Sequence, residues 1–468
     1  MVMKTLGLEP VTVGVKCRGG FQAKLLGTLF FSLTLVGLFP VVLAAQASSP
    51  TGQAPAQGVV YGGGFQTPLL FKGESVPPNE VSLGVGVRGF YDDNVLANNS
   101  NRVGDEAVAF TPELTFARHT DRFSTSFDYT PFFILYRQVD GLDRVNHAAD
   151  LNASYQLSRR IILGVDETFS YQNGNYPALS EAPLMSGLAP ATFPALQVLA
   201  YTTRDLSNAA GLNLTFVKSG RTRVTLQGGE NLTKYGNQVA GQPLYNGNGF
   251  NGSLTYEYHM TAHTSVGMYL VYQDTTYRGG QVFGYRQRSQ VESAYLSAGT
   301  RFSPSVSVTV FGGPQYIGTV GQASTPATVS THFQGSGGGS ISKSVRNTAL
   351  IVTFQRSVTG SGGLYTSVIN TNADVGVRRR LGGKFESTLH VGVAREDASL
   401  FKLANGKTDG VYAGIDISRP LSHGSVFHVS YDSWHQLSSG TLPIIGNFDR
   451  NQVAVGIQYR LKAHPLAR

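Results

Sequence analysis

The feature that most constrains this chain is a strict alternation of apolar with polar or small residues, which begins near Val81 and continues to Leu461. Residues 411–418 read VYAGIDIS and residues 453–461 read VAVGIQYRL, so every second side chain is apolar. Successive side chains of a β-strand point to opposite faces of a sheet. The pattern therefore predicts strands of about ten to fifteen residues with one apolar and one polar face.

The connections between these segments alternate in length. Short polar junctions occur at 118–122, 158–160, 218–222, 259–263, 303–305, 343–347, 381–384 and 419–425. Longer irregular segments occur at 92–105, 173–203, 236–247, 277–287, 318–328, 359–366, 396–407 and 436–449. Outer-membrane barrels have short periplasmic turns and long outside loops. The spacing predicts an all-β fold, a transmembrane antiparallel up-and-down β-barrel of about eighteen strands.

Closure is a physical requirement for such a sheet. Backbone N–H and C=O groups in lipid find no water to pair with, so a membrane-spanning sheet cannot keep a free edge. We therefore expect the first strand, near 81–91, to pair with the last, near 452–461. Aromatic residues at strand ends are expected to form the girdles at the membrane interfaces: Phe90, Tyr91, Tyr136, Tyr171, Tyr235, Tyr258, Tyr431 and Tyr459.

The N-terminal segment has the organisation of an export signal. A basic stretch precedes the uncharged run 25–43, and Ala45-Gln46-Ala47 follows as a small-x-small cleavage pattern. The alternative is an uncleaved membrane anchor, which Pro40 near the end of the run disfavours. We predict a signal peptide at 1–47, a flexible periplasmic lead-in at 48–79, the barrel at 80–462 and a periplasmic tail at 463–468. The predicted location is the cell outer membrane, reached through the secretory pathway.

Composition excludes several classes of function. The only cysteine, Cys17, lies in the predicted signal peptide, so the mature chain has no disulfide and no thiolate ligand or nucleophile. Charged residues make up 14% of the chain, and its formal charge of +8 is dispersed. Only Arg378, Arg379 and Arg380 form a basic run, which is too little to predict binding of nucleic acid.

Two short motifs resemble known outer-membrane barrels. The ending Gly456-Ile457-Gln458-Tyr459-Arg460-Leu461 resembles the terminal strand signal that the barrel-assembly machinery reads. The stretch Gly89-Phe90-Tyr91-Asp92-Asp93-Asn94-Val95 resembles the opening of the beta-barrel porin 2 family. Members of that family are often linked with exopolysaccharide production and export in Gram-negative bacteria. The resemblance implies an outer-membrane barrel and a polysaccharide as permeant.

Motifs for cofactors, metals and catalysis have structural explanations. Residues 84–89 spell G-x-G-x-x-G, but they lie within a predicted strand, where glycines relieve crowding, and no helix follows. Asp92-Asp93-Asn94 is interpreted as a solvated turn rather than a calcium site. His259 and His263 flank a predicted turn. There is no G-x-S-x-G elbow. We therefore predict no catalytic residue, no cofactor and no metal, and the protein is not predicted to be an enzyme.

Charged residues on the polar face of the predicted strands are the candidate functional residues. An arginine facing lipid at mid-depth costs several kcal/mol, so these side chains are expected to face the lumen. The candidate lumen-lining residues are Arg88, Asp128, Asp166, Glu257, Asp374, Arg378, Arg380, Glu386, Asp416 and Arg460. Opposed charges that brace the inner wall are the alternative explanation. Arg379 and Glu167 fall on the face of their strands that carries the apolar residues. This indicates either that these two side chains lie near a membrane interface or that the strand register shifts locally.

The leading hypothesis is a porin-like channel for passive passage of solutes, with selectivity set by pore width and wall charges. The expected partners are outer-membrane lipid, the barrel-assembly machinery, and small solutes or a polysaccharide. A non-conducting structural or surface-binding barrel is the first alternative. In that case the long segment 173–203 would serve as a binding surface or a constriction. A barrel-type hydrolase is the second alternative.

Overall fold

The computed structural model describes residues 79–139, 142–173, 204–236, 245–279, 286–322, 328–361, 365–382, 384–398, 406–421, 424–440, 447–461 and 464–465. The strands are β1 (Glu80–Asp92), β2 (Asp105–His119), β3 (Phe123–Tyr136), β4 (Arg144–Ser158), β5 (Ile161–Asn173), β6 (Arg204–Ser219), β7 (Thr222–Gly236), β8 (Tyr245–His259), β9 (Thr264–Gly279), β10 (Arg286–Ser303), β11 (Val306–Gln322), β12 (Thr328–Val345), β13 (Thr348–Ser361), β14 (Tyr365–Leu381), β15 (Phe385–Asp397), β16 (Gly406–Pro420), β17 (Ser425–Gly440), β18 (Phe448–Arg460) and the short β19 (His464–Pro465).

The strands form one closed sheet in which β1 to β18 each pair antiparallel with their neighbours in sequence. Closure occurs between β1 and β18, in a register that runs from Gly84 opposite Arg460 to Asp92 opposite Gln452. Beyond β18, β19 pairs with the first two residues of β1, Glu80 and Val81. The predicted eighteen-stranded antiparallel barrel is confirmed, and its closing pair is the one that the sequence indicated.

Short and long connections alternate as predicted, which gives the barrel a turn end and a loop end. At the turn end, β2 and β3 are separated only by residues 120–122 and β10 and β11 by residues 304–305. One loop-end connection was missing from the sequence prediction, between Tyr136 of β3 and Arg144 of β4. Adding it accounts for the eighteenth strand.

The outer face of the barrel is apolar. Large apolar side chains with one parity stay exposed on each strand, among them Leu212 at 59%, Leu296 at 70% and Phe333 at 75%. Water would penalise so continuous an apolar surface, whereas the hydrocarbon of a bilayer favours it. The fold is therefore a transmembrane β-barrel. Within the described residues, there is no helix with the length and apolar character needed to span a bilayer.

Three aromatic residues predicted for the outer girdles lie on the inner face instead. Phe90 is 5% exposed and makes an edge-on contact with Tyr136. Both pack in a cluster with Ala107, Ala109 and Ile134. Tyr235 has the inner parity of Asn231 on β7. The prediction for these residues was wrong because it relied on their position at strand ends, although parity already set the face on which they lie.

Candidate permeation lumen

Polar side chains of the inner wall occupy space left by glycines. A Cβ atom at Gly414 would collide with His390 and Asp432, and one at Gly456 would collide with the ring of His428. These glycines lie directly across from the bulky residues in the strand register. Glycine at such positions lets large polar groups lie flat along a curved wall.

All ten candidate lumen-lining residues occupy positions with inner-face parity, as judged from the strand registers and the exposed apolar residues beside them. They lie on β1 (Arg88), β3 (Asp128), β5 (Asp166), β8 (Glu257), β14 (Asp374, Arg378 and Arg380), β15 (Glu386), β16 (Asp416) and β18 (Arg460). They are distributed around the wall and do not converge on one site.

Four arginines of the inner wall lie beside carboxylates or an aromatic ring. Arg378 Nε lies 2.5 Å from Glu386 Oε1, and Arg380 Nε lies 3.8 Å from Glu386 Oε2. Arg460 Nη2 lies 3.5 Å from Glu113 Oε2 across the barrel seam. The Arg88 guanidinium lies 5.4 Å from the centre of the Phe90 ring. These contacts neutralise or anchor the positive groups, which reduces their field in the lumen.

A second part of the wall is acidic. Asp128 on β3 is directly opposite Asp150 on β4, and Asp166 follows on β5 opposite Asn152. Asp150, Asn152 and Thr168 are exposed on this inner face. Carboxylates side by side on an open wall attract cations and repel anions. This stretch is therefore the strongest candidate for setting ion preference.

A third part of the wall, on β7 to β12, carries many buried amides and hydroxyls. Its buried polar residues include Gln227, Asn231, Thr255, Thr275, Gln287, Ser289, Gln315, Thr319 and Ser336. Tyr295 belongs to the same face, and its hydroxyl lies 3.2 Å from Ser336 Oγ. Such groups offer hydrogen bonds without a net field.

Residues 93–104, the first loop, turn inward at the loop end and cover part of the wall. Ala97 packs in a cluster with Ala394, Tyr412, Trp434 and Phe448, which belong to β15, β16, β17 and β18. The ring centres of Tyr412 and Trp434 are 6.0 Å apart. The first loop therefore crosses the inner surface of four strands and narrows the lumen.

The motif Asp92-Asp93-Asn94 fastens this loop to β18. Asp92 pairs with Arg450, Asn451 Nδ2 donates to Asp93 Oδ2 over 2.7 Å, and Asn94 Nδ2 donates to the carbonyl oxygen of Asp449 over 2.8 Å. Asp92 and Asn94 are fully buried. The expectation of a solvated turn was wrong, because the motif's partners lie across the barrel seam. Among the described residues, no group of three or more His, Cys, Asp or Glu side chains could hold a metal ion.

The β13–β14 hairpin also turns inward at the loop end. Pairing between β12 and β13 stops at Gly337 opposite Arg356, although both strands continue. Val358 of β13 and Ile369 of β14 instead pack against Val291 of β10 and Ile317 of β11, which point into the lumen. We call residues 357–361 and 365–370 the tucked hairpin.

Two charged residues with outer parity have distinct environments. Glu167 on β5 accepts a 3.1 Å hydrogen bond from Asn208 Nδ2 on the outer face. Arg379 is exposed two residues before the end of β14, near the turn end. No register shift separates either residue from its neighbours. The alternation therefore holds, and the interface explanation fits Arg379.

Several inner-wall residues were missed by the sequence analysis. Asp150 and Asp432 have the inner parity of their strands, so the alternation that indicated the other carboxylates could also have indicated these two. The buried cluster of Tyr412 and Trp434 depends on contact with the first loop. No local sequence signal shows a contact of that kind.

No protein-family model matches this sequence, and no curated protein matches it. Among solved structures, the chain is similar to the ferric citrate transporter FecA in its unliganded form, with a TM-score of 0.45 and 12% identity. That alignment covers 82% of this chain and 64% of FecA. OpdO of Pseudomonas aeruginosa matches with a TM-score of 0.40 and 13% identity, over 82% of this chain and 97% of that one. OccAB4 of Acinetobacter baumannii matches with a TM-score of 0.39 and 10% identity, over 83% and 99%.

Proposed function

We propose that this protein is a passive channel of the outer membrane, in which solutes diffuse along a polar, charged lumen. The observation that supports it is the division between the two faces of a closed barrel. Exposed apolar side chains cover the outside, whereas charged residues from Arg88 of β1 to Arg460 of β18 lie on the inside. A barrel of eighteen strands is wide enough for an aqueous lumen.

Conductance of the refolded mature chain in planar bilayers tests this proposal. Stable ionic current steps are expected from protein whose barrel is folded, as judged by the shift in gel mobility on heating. Folded protein that gives no current steps would contradict the channel function. A variant in which a short Gly-Ser linker replaces residues 94–101 should give larger steps, because this loop covers the wall of β15 to β18.

A non-conducting surface or scaffold barrel is the second candidate. The inward position of both the first loop and the tucked hairpin favours it, because each fills part of the lumen. The same bilayer experiment separates the two functions. If neither the wild type nor the loop variant gives current steps although both barrels are folded, the result supports a scaffold function.

A polysaccharide is the permeant class that we propose for the channel. The wall of β7 to β12, which is rich in amides and hydroxyls, supports it, since these groups and Tyr295 match the hydrogen-bonding groups and apolar faces of sugars. The resemblance of residues 89–95 to the beta-barrel porin 2 family supports it independently. Liposome swelling with neutral oligosaccharides of increasing size is the test. Uptake no faster than for sugar alcohols of equal size would contradict it.

Recognition by the barrel-assembly machinery is proposed for the closing strand. Residues 456–460 of the motif lie on β18, where Gly456 and Tyr459 face Arg88 and Val85 of β1. Tyr459 is exposed on the outer face, where a recognition protein can reach it before closure. Tyr459→Ala should slow assembly in cells, whereas Tyr431→Ala, on the outer face of β17, should not. Equal assembly rates for the two variants would contradict the proposal.

A further inference from the structure

We propose that the tucked hairpin is a gate, which closes the lumen when it packs on β10 and β11 and opens it when it extends the pairing of β13 with β12. The inference rests on the proposed channel function and adds a means of regulating it. Its basis is a split in the barrel wall, where β12 and β13 stop pairing and β13 turns into the lumen.

The split ends the pairing between the backbones of β12 and β13. Residues 328–336 of β12 continue to pair with β11, whereas the described pairing of β12 with β13 ends at Gly337. Beyond Arg356, the described residues of β13 pair with β14. A free sheet edge is a template for another strand, and pairing it lowers the free energy of its N–H and C=O groups.

The register of the paired part of β12 and β13, residues 337–345 and 348–356, specifies how the split would close. Gly337 faces Arg356 and Val345 faces Thr348, so the same register would place Ser357 opposite Ser336 and Val358 opposite Gly335. The pairs would continue to Ser361 opposite His332. Five more residues of β13 would then join the wall, and β14 would follow because its pairing with β13 continues to Val368 opposite Thr359.

Val358 and Ile369 have an apolar site available in both positions. In the tucked position they pack on Val291 and Ile317, and Ile317 is fully buried. In the paired position their parity is that of Phe354 and Val375, which are exposed on the apolar outer face. Gly335 leaves open space beside Val358 there. A segment that is stable in two packings has the property that a gate needs.

Contacts at the branch point hold the tucked position. Ser336 Oγ donates to the carbonyl oxygen of Arg356 over 2.7 Å, and the Tyr295 hydroxyl lies 3.2 Å from Ser336 Oγ. Gly338 approaches the β13 backbone so closely that a Cβ atom would collide with the carbonyl oxygen of Phe354. The hydrogen bond from Ser336 to Arg356 therefore fixes the point at which β13 separates from β12.

The inner wall beneath the hairpin is covered, unlike the open wall elsewhere. Gln287, Ser289, Gln315 and Thr319 of β10 and β11 are at most 3% exposed. Thr168 and Asn152, on the inner faces of β5 and β4, are exposed. Movement of the hairpin to β12 would uncover polar residues and widen the lumen on that side.

Paired cysteines test the two positions in the mature chain, which contains no other cysteine once Cys17 is removed. Val291→Cys with Ile369→Cys cross-links the tucked position, and Gly335→Cys with Val358→Cys cross-links the paired position. Both cross-links should form with a short bis-maleimide reagent, which adds one thioether bond to each cysteine. The first should lower single-channel conductance by about twofold or more, and the second should raise it by a similar factor.

Three outcomes contradict the gate: the paired cross-link fails to form in folded barrels, both cross-links leave conductance unchanged, or both change it in the same direction. If even the uncross-linked protein conducts no current, the channel function fails. In that case, the yields of the two cross-links, measured on gels, still show whether the hairpin moves. Ser336→Ala should increase the yield of the paired cross-link, whereas Ser340→Ala, lower on β12, should not. Equal yields would contradict the role of Ser336.

Discussion

Arg450 of β18 forms an ion pair with Asp92, the last residue of β1, and the Asp92 side chain is fully buried. The pair lies at the loop end of the seam that closes the barrel, next to Gln452, which is opposite Asp92 in the register. Backbone pairing and this buried pair thus join the same two strands.

Removal of one partner of this pair should destabilise the barrel. Asp92→Ala leaves the Arg450 guanidinium buried without its carboxylate, which costs about 3–5 kcal/mol of the free energy of unfolding. Arg102→Ala is the matched control, because its ion pair with Asp93 is exposed and contributes at most about 1 kcal/mol. Urea unfolding in lipid vesicles measures both. Equal losses in the two variants would show that Asp92 has no special role at the seam.

The single tryptophan reports on the first loop. Trp434 is 6% exposed and packs with Ala97, so its fluorescence emission should be blue-shifted. Ala97→Lys should shift the emission to longer wavelength and increase quenching by acrylamide, because the lysine cannot remain in the apolar cluster. Ser100→Lys is the control, since Ser100 is exposed in the same loop. An unchanged spectrum in Ala97→Lys would mean that the loop does not cover Trp434.

Ion preference should follow the acidic wall. The three carboxylates Asp128, Asp150 and Asp166 lie on neighbouring strands, while the arginines Arg378 and Arg460 are paired with carboxylates. The wild type should therefore prefer cations weakly, as measured by the reversal potential across a KCl gradient. The triple change to Asn should remove this preference.

The control for ion preference is Asp274→Asn, which removes a carboxylate from the outer face, where it pairs with Arg288. This variant should retain the wild-type reversal potential. An anion preference in the wild type, or an equal effect of the control, would contradict the assignment of the acidic wall.

Two adjacent residues of β6 should tolerate arginine very differently. Leu212 is 59% exposed on the outer face, whereas Asn213 lies on the inner face, with its side chain beside Gly164. Leu212→Arg should cost about 2–4 kcal/mol of unfolding free energy in a bilayer, because the charge faces lipid. Asn213→Arg should cost much less, since its charge reaches the lumen. A similar cost for both would contradict the assignment of faces.

The sequence predicted the fold well because its signals are local. Successive side chains of a strand alternate between its two faces, so the inner positions of Arg88 and Asp416 follow from the residues beside them in the sequence. The alternation of connection lengths gave the strand count, although the omitted connection between Tyr136 and Arg144 shows that one short loop can be overlooked. Closure between β1 and β18 followed from the need to pair every backbone group.

The inward segments could not be predicted in the same way, because their contacts join residues far apart in the chain. Asn94 contacts Asp449 across a separation of 355 residues, so the local interpretation of Asp92-Asp93-Asn94 as a solvated turn missed its partners. Val358 and Ile369 have the parity of wall residues. Only the end of the β12–β13 pairing and the packing on Val291 and Ile317 show that the hairpin turns into the lumen.

The most direct test of the whole account is whether residues on the two faces of one strand differ in their exposure to lumen water. Single cysteines at Leu163, Val165, Asp166 and Thr168 of β5, in a chain without Cys17, are reacted in lipid vesicles with a charged thiol reagent that does not cross membranes. Cysteines at 166 and 168 should react rapidly, because they face the lumen, and those at 163 and 165 should stay protected by lipid. Equal reactivity at all four positions would contradict a barrel with a lipid-facing exterior and a water-filled interior.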